Sequence, residues 1–391
     1  MSSTAFIYLI IKIFEILVFY HSGKAIAFAP NVRNYWKIAF FPIVIFALIE
    51  GLRWGHDIDY NVYAGRFTLI NNWLTYDERS SPLFTIIVYA LKLVGGNYPI
   101  FLIIESFFLM FSAFLLLQLY QERAKWIVPC FLIAFLPNEN FIRFYFALAF
   151  VICSFYFFCE KKYIWCAVLL LAATTMHFAM FSVIGLYLMF PLMMRKRIDP
   201  RIVIGFFIVA LFFISITSLD FIVLISKKLA YIFRNSSSVA VSYLGGMDDI
   251  ISGNHGQMGL MHSSLTNAVK QIFIYVPLLF WGFQIIKKYK YGTFIHNISV
   301  VNVLVSPIFS QVEILSRMTN ICNIFIAVYM GIFMGEFLRK NTSRVKLLFV
   351  CLSIFCYFYP YINAPFVREN FQMFFIWNSN GSLTNWAPYH E

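Results

Sequence analysis

Long apolar runs separated by short polar connectors repeat along the chain. Stretches such as FLIIESFFLMFSAFLLLQLY (101–120) and FIAVYMGIFMGEFL (325–338) approach the roughly 20 residues that carry an α-helix across about 30 Å of hydrocarbon. In lipid each backbone polar group must be satisfied within its own segment, so repeated runs of this kind predict a helical bundle. We place spans near 4–20, 36–50, 98–119, 126–137, 142–159, 163–176, 178–194, 202–218, 266–286, 292–309, 318–338 and 345–361. The predicted fold class is an all-α polytopic membrane protein of about twelve transmembrane helices, forming one integral domain over 1–391. The first run carries Lys12 and Glu15 and no small-residue cleavage site, so it reads as a retained span.

Charge orients the pattern. The connectors NVRNYWK, QERAK, EKK, MRKR, KKYKYG and RKNTSRVK are short and basic, which the positive-inside rule assigns to the cytoplasm. Strict alternation then puts all of them on one side and both termini on the other. PLFTIIVYALKLV (82–94) is apolar but only 13 residues long, and counting it as a span would put QERAK outside. It is therefore predicted as an outward-facing re-entrant or interfacial helix. The two long outward loops are 51–97 and 219–265, the second rich in Gly, Ser, Asn and His. That composition suits a solvent-facing loop that orders over a ligand.

Composition excludes a soluble globule: 61% of residues are hydrophobic, 47 are Phe, and mean hydropathy is +0.76. A net charge of +12 would suggest nucleic acid, but the cations sit between apolar runs, and no nucleic-acid partner is expected. The seven cysteines form no CxxC pair and read as core filler.

Ionisable side chains at membrane depth are expensive and mark functional sites. Several fall on the predicted outward side. The loop GLRWGHDIDY (51–60) holds Arg53, His56, Asp57 and Asp59; Arg143 opens one span, His177 interrupts an apolar stretch, and Arg317 opens another. Each has a plainer explanation. Arg53 could pair with Asp57, Arg143 with Glu139 and Arg317 with Glu313, while His177 could cap a helix end. Glu105 should pair inside the bundle, and Lys12 with Glu15 within its helix. The coincidence of side argues for a site, and three outward arginines suit a lipid-anchored phosphate or diphosphate. Arginine stays charged when desolvated and grips phosphoryl oxygens through a planar fork. An Asp or a neutral His could take a proton from an attacking hydroxyl. Asp57 and Asp59 form an Asp-x-Asp pair, a weak metal signal with no further ligands at suitable spacing, so neither metal nor cofactor is expected. No Walker A loop, GxSxG elbow, HExxH or Rossmann fingerprint is present, so the driving force should ride in on the substrate.

At these residues the sequence resembles the EpsG-like branch of the Wzy-type bacterial polysaccharide polymerases. Gly51, Leu52 and Arg53, followed by Asp59, Tyr60 and Tyr63, match that family's pattern, with Asp57 where it usually has Gly. Ser81 replaces a Glu before Pro-Leu-Phe, IRFYFA keeps Arg143 and loses a Gln, and His177 and Arg317 match a His before a helix and an Arg opening a late span. The resemblance implies a GT-C-like architecture in the bacterial inner membrane, with its active site on the periplasmic side. The implied activity transfers a growing glycan from undecaprenyl diphosphate to an incoming lipid-linked repeat unit. Arg53, Arg143 and Arg317 would bind diphosphate, and His177, Asp57 or Asp59 would activate the acceptor hydroxyl. Tyr60, Tyr63 and Tyr243 would contact sugars. Partners would be the undecaprenyl-diphosphate-linked oligosaccharide, the bilayer, a chain-length regulator and a flippase. Two other functions stay open: a GT-C glycosyltransferase with a polyprenyl-phosphate donor, and a lipid-linked oligosaccharide flippase.

Overall fold

The computed structural model describes residues 3–54, 57–72, 81–216, 265–309, 313–338, 344–367 and 374–375. Each of the twelve predicted segments falls on a helix: α1 (Ser3–Ala27), α2 (Val32–Gly51), α5 (Tyr98–Leu117), α6 (Ala124–Ala134), α7 (Ile142–Cys159), α8 (Tyr163–Met176), α9 (Ser182–Arg195), α10 (Pro200–Ile216), α11 (Leu265–Ile286), α12 (Gly292–Phe309), α13 (Glu313–Phe337) and α14 (Arg344–Val367). Two further helices, α3 (Asp57–Leu69) and α4 (Pro82–Leu93), fill the 51–97 segment. Among the described residues, eight stretches are long and apolar enough to cross a membrane, so the protein is a polytopic membrane protein. One of the eight covers Tyr98–Glu139 and holds two predicted spans, divided by a kink where Tyr120 leaves the helical region (φ −136°, ψ 27°). Tyr163–Met176 and Pro200–Leu211 are shorter apolar helices.

Local chemistry starts the helices where the chain turns. Asn31 and Asn97 are extended N-caps whose side chains accept from the backbone N–H of Asn34 (2.9 Å) and Ile100 (3.1 Å). Each satisfies one of the donors a helix start leaves open. Pro82 sits in the first turn of α4, where its missing N–H costs nothing.

The core lies in α7 and α13, where 72% and 78% of the span residues are buried, against 17% for Phe178–Arg195. α13 packs on α6 through Gly331 and Gly335. A Cβ on Gly331 would stand 2.5 Å from the Ile127 backbone. Such close approach is how small residues spaced four apart join membrane helices.

The basic connectors among the described residues gather at one end of the bundle. Gln121 donates to the carbonyls of Ile26 (3.1 Å) and Ala29 (2.9 Å), and Tyr120 to that of Lys290 (2.9 Å). Tyr291 donates to Cys159 (2.9 Å), Arg123 pairs with Glu336, and Asn297 donates to Met193 (2.7 Å) and Lys196 (2.8 Å). Lys12, fourteen residues before Ile26 on α1, therefore lies about 21 Å toward the other end at 1.5 Å per residue.

The 51–97 segment differs from expectation. It is predicted as a loop with one interfacial helix; α4 fills that place, and α3 is an additional helix. Tyr60, Tyr63, Phe67 and Ile70 fall on one stripe and are buried, against Phe84, Tyr98 and Phe101 among others. Beyond the end of α3, Lys92 of α4 donates to the carbonyls of Phe67 (3.2 Å), Thr68 (3.1 Å) and Ile70 (2.8 Å) and to Asn71 Oδ1 (3.0 Å). An ammonium there satisfies the open carbonyls and the negative end of the helix dipole. Between α2 and α3, Arg53 and Trp54 form a two-residue antiparallel ladder with Phe375 and Phe374. The predicted 219–265 loop lies outside the described residues but for Leu265, the first residue of α11.

Candidate functional site

At the end of the bundle opposite the basic connectors, Pro137 and a short 3-10 turn (Leu136–Glu139) separate α6 from α7. Arg143 is the second residue of α7 and is half-buried, with its guanidinium carbon 5.7 Å from the centre of the Tyr63 ring. Arg317, in the second turn of α13, stands 5.0 Å from the centre of the Phe141 ring. His177 ends α8 in an extended conformation (φ −151°, ψ 123°), and its Nδ1 accepts the Ala179 N–H at 3.2 Å. Its ring stands perpendicular to Phe144 at 5.5 Å. Burial, then the charges of Arg143 and Arg317, lower its pKa from the ordinary 6.5 to about 3. Three segments far apart in sequence thus bring two arginines and one neutral imidazole together, each set against an aromatic ring.

Arg53 sits elsewhere. The sequence places it at the surface; in the structure it is 0% exposed, and its Nη1 is directed to the carbonyl and to Oε2 (3.4 Å) of Glu50. Glu105, Tyr60 and Tyr98 feel its charge. Behind it runs a buried network. Lys12 pairs with Glu15 (3.4 Å), as the sequence suggests, and also with Glu50 (3.2 Å) and Glu139 (3.6 Å). Tyr8 donates to Glu139 (2.7 Å) and Tyr361 to Glu15. Glu105 accepts from Ser106 (3.0 Å) and Asn138 (3.3 Å), which agrees with its predicted pairing inside the bundle. Glu50, Tyr8 and Tyr361 were missed. Glu50 had a signal, being an acid at the very end of an apolar run.

Tyr60 (1% exposed) and Tyr63 (7%) are packed within the α3–α4–α5 contact, so neither offers an open ring face to a sugar. Asp57 and Asp59 lie in the first turn of α3, but their side chains, with His56 and Tyr243, fall outside the described residues. Among the described residues no three His, Cys, Asp or Glu converge as a metal site.

An α-helical, multi-span chain that gathers Arg143, Arg317 and His177 at one end of its bundle is a polytopic membrane protein. A family model describes it further: the EpsG family matches residues 36–376, and the chain belongs to that family. No curated protein and no solved structure matches it.

Proposed function

We propose that this protein is a bacterial surface polysaccharide polymerase, acting at the outer face of the inner membrane. It transfers a growing glycan from undecaprenyl diphosphate to an incoming lipid-linked repeat unit. The observation that supports this is that Arg143, Arg317 and His177 meet at the end of the bundle away from the basic connectors, with His177 against Phe144 and within the field of both arginines. EpsG family membership points the same way.

The acceptor hydroxyl oxygen attacks the anomeric carbon, and the bond from that carbon to the diphosphate oxygen breaks. The diphosphate leaves with the bonding electrons, and the hydroxyl proton passes to a base. Arg143 and Arg317 hold the leaving group and stabilise its developing charge. His177 acts as a donor: with Nδ1 occupied by Ala179, a neutral ring carries its proton on Nε2 and can offer it to a phosphoryl oxygen. The base is then a carboxylate at the start of α3, Asp59 or Asp57. Arg53 serves as a positioning residue that ties the loop to Glu50.

A single-sugar GT-C glycosyltransferase using Asp57 and Asp59 with a metal, or a flippase, would leave a different trace in cells. Deleting the gene should leave the surface capped with single repeats. Incomplete repeats would indicate the glycosyltransferase, and complete repeats trapped inside would indicate the flippase. Chelator-treated membranes should keep polymerising; activity lost on chelation and restored by a divalent ion would contradict the arginine mechanism.

A further inference from the structure

Helix α1 presents one apolar stripe to the bilayer. Ile10, Ile13, Phe14 and Leu17 are exposed, and their spacing of three and four puts them on one face. The same spacing carries the stripe through Tyr20 to Lys24, two residues before Ile26 and so at the end where the basic connectors gather. There α6 joins it. A Cβ on Gly23 would stand 2.6 Å from the Ala124 carbonyl oxygen and 3.1 Å from Lys125 Cα, so the Lys24 and Lys125 backbones are within about 9 Å of each other. Lys125 directs its ammonium across this seam, with Nζ 5.2 Å from the centre of the Tyr20 ring and 4.8 Å from that of Trp126. The two rings stand edge to face at 5.6 Å. Gly335 of α13 makes room for Trp126, since a Cβ there would be 2.8 Å from Trp126 Cδ1. Tyr20 and Lys24 are one turn apart, so Lys24 emerges on the side of α1 that Lys125 reaches. Among the described residues neither lysine is in an ion pair; Glu122, just before α6, and Glu336, on α13, both pair with Arg123.

Tyr and Trp settle at headgroup depth, and lysines beside the hydrocarbon attract anionic headgroups there. We propose that Lys24 and Lys125, framed by Tyr20 and Trp126, hold the phosphate of one anionic phospholipid in the leaflet at the connector end. Its acyl chain lies along Leu17, Ile13 and Ile10. The site stands at the opposite end of the bundle from Arg143, His177 and Arg317 and does not depend on the reaction proposed there. A lipid that bridges α1 and α6 binds only the folded bundle, so it also stabilises it.

The test is native mass spectrometry of the full-length protein, delipidated in neutral detergent and titrated with phosphatidylglycerol against phosphatidylcholine. Wild type should retain one phosphatidylglycerol in preference to phosphatidylcholine and unfold at a higher temperature with it. Lys24→Gln combined with Lys125→Gln should weaken that lipid about 30-fold, and each single variant about fivefold, with the gain in unfolding temperature reduced in step. Lys24→Arg with Lys125→Arg should keep it. Lys287→Gln with Lys288→Gln, on the connector before α12, should bind as wild type does. Equal weakening by the two glutamine pairs would overturn the site in favour of diffuse surface charge. Full binding by the folded Lys24→Gln, Lys125→Gln variant would overturn it outright, as would equal retention of both lipids by wild type. Displacement by an equal concentration of inorganic phosphate would overturn it in favour of a soluble anion. Should the double variant not fold, the single variants decide, and unchanged binding in both overturns the site.

Discussion

The backbone N–H of Ala179 donates to Nδ1 of His177 at 3.2 Å, which leaves Nε2 as the ring atom that can face a substrate. With a pKa near 3, the imidazole is neutral across the physiological range and offers a proton there. His177→Gln places an amide donor near the Nε2 position and should keep activity within about tenfold. His177→Ala should lose roughly 100- to 1000-fold, as for removal of one donor to a developing anion. Between pH 5 and 8 the rate should show no limb from His177; a limb near 6.5 that vanishes in His177→Gln would contradict the donor role. The sign for stability follows. The unfolded chain takes up a proton near 6.5 that the fold refuses until about 3, so this stabilisation is complete above 6.5 and lost as pH falls through that window.

Lys12 faces Glu15, Glu50 and Glu139 at 1% exposure. Lys12→Met leaves buried carboxylates without their cation and should cost about 3–5 kcal/mol. The check is thermal unfolding of the purified protein. Adding Glu50→Gln to Lys12→Met should restore part of the loss; a double variant no more stable than the single one would remove Glu50 from the network.

Lys92 holds the end of α3 through three carbonyls and one amide oxygen. Lys92→Met should loosen that end by about 1–2 kcal/mol, the upper range for a cation at a helix C-terminus. Faster amide exchange confined to Asp57–Leu69, with polymer yield lowered at equal protein abundance, is the expected outcome. Unchanged exchange there would show that packing of Tyr60, Tyr63 and Phe67 alone holds the helix.

Much of this architecture was legible. Apolar runs and basic connectors were enough to place all twelve segments on helices, and among the described residues eight stretches are long and apolar enough to cross a membrane. The helix over Asp57–Leu69 was not legible, since its polar residues and the motif within it read as a loop. Its stripe of Tyr60, Tyr63, Phe67 and Ile70 has helical spacing and was the available signal. Arg143, His177 and Arg317 were legible as ionisable residues at span ends. The burial of Arg53 was not, because its partner Glu50 lies at the end of the preceding apolar run and looked like part of it. Nor could the sequence show that Arg143 of α7 reaches the Tyr63 ring of α3, which depends on the tertiary fold.

Gly331 tests the core. A side chain there meets the Ile127 backbone at 2.5 Å, and backbone cannot yield as a side-chain tip can. Gly331→Ala should cost about 1–3 kcal/mol by overpacking, and Gly331→Leu should abolish accumulation in the membrane. Gly65, whose Cβ would meet nothing within 4 Å, should accept Ala without loss.

Arg143 and Arg317 hold the leaving diphosphate in the proposed reaction. The measurement is the rate of polymer formation from a purified lipid-linked repeat unit by full-length protein in nanodiscs, with variants matched for folding by thermal unfolding. Wild type should release undecaprenyl diphosphate as the glycan lengthens. Arg143→Ala and Arg317→Ala should each be slower by roughly 100- to 1000-fold, with the lysine variants in between. Wild-type rates from both folded alanine variants would contradict the claim that these arginines carry the leaving diphosphate.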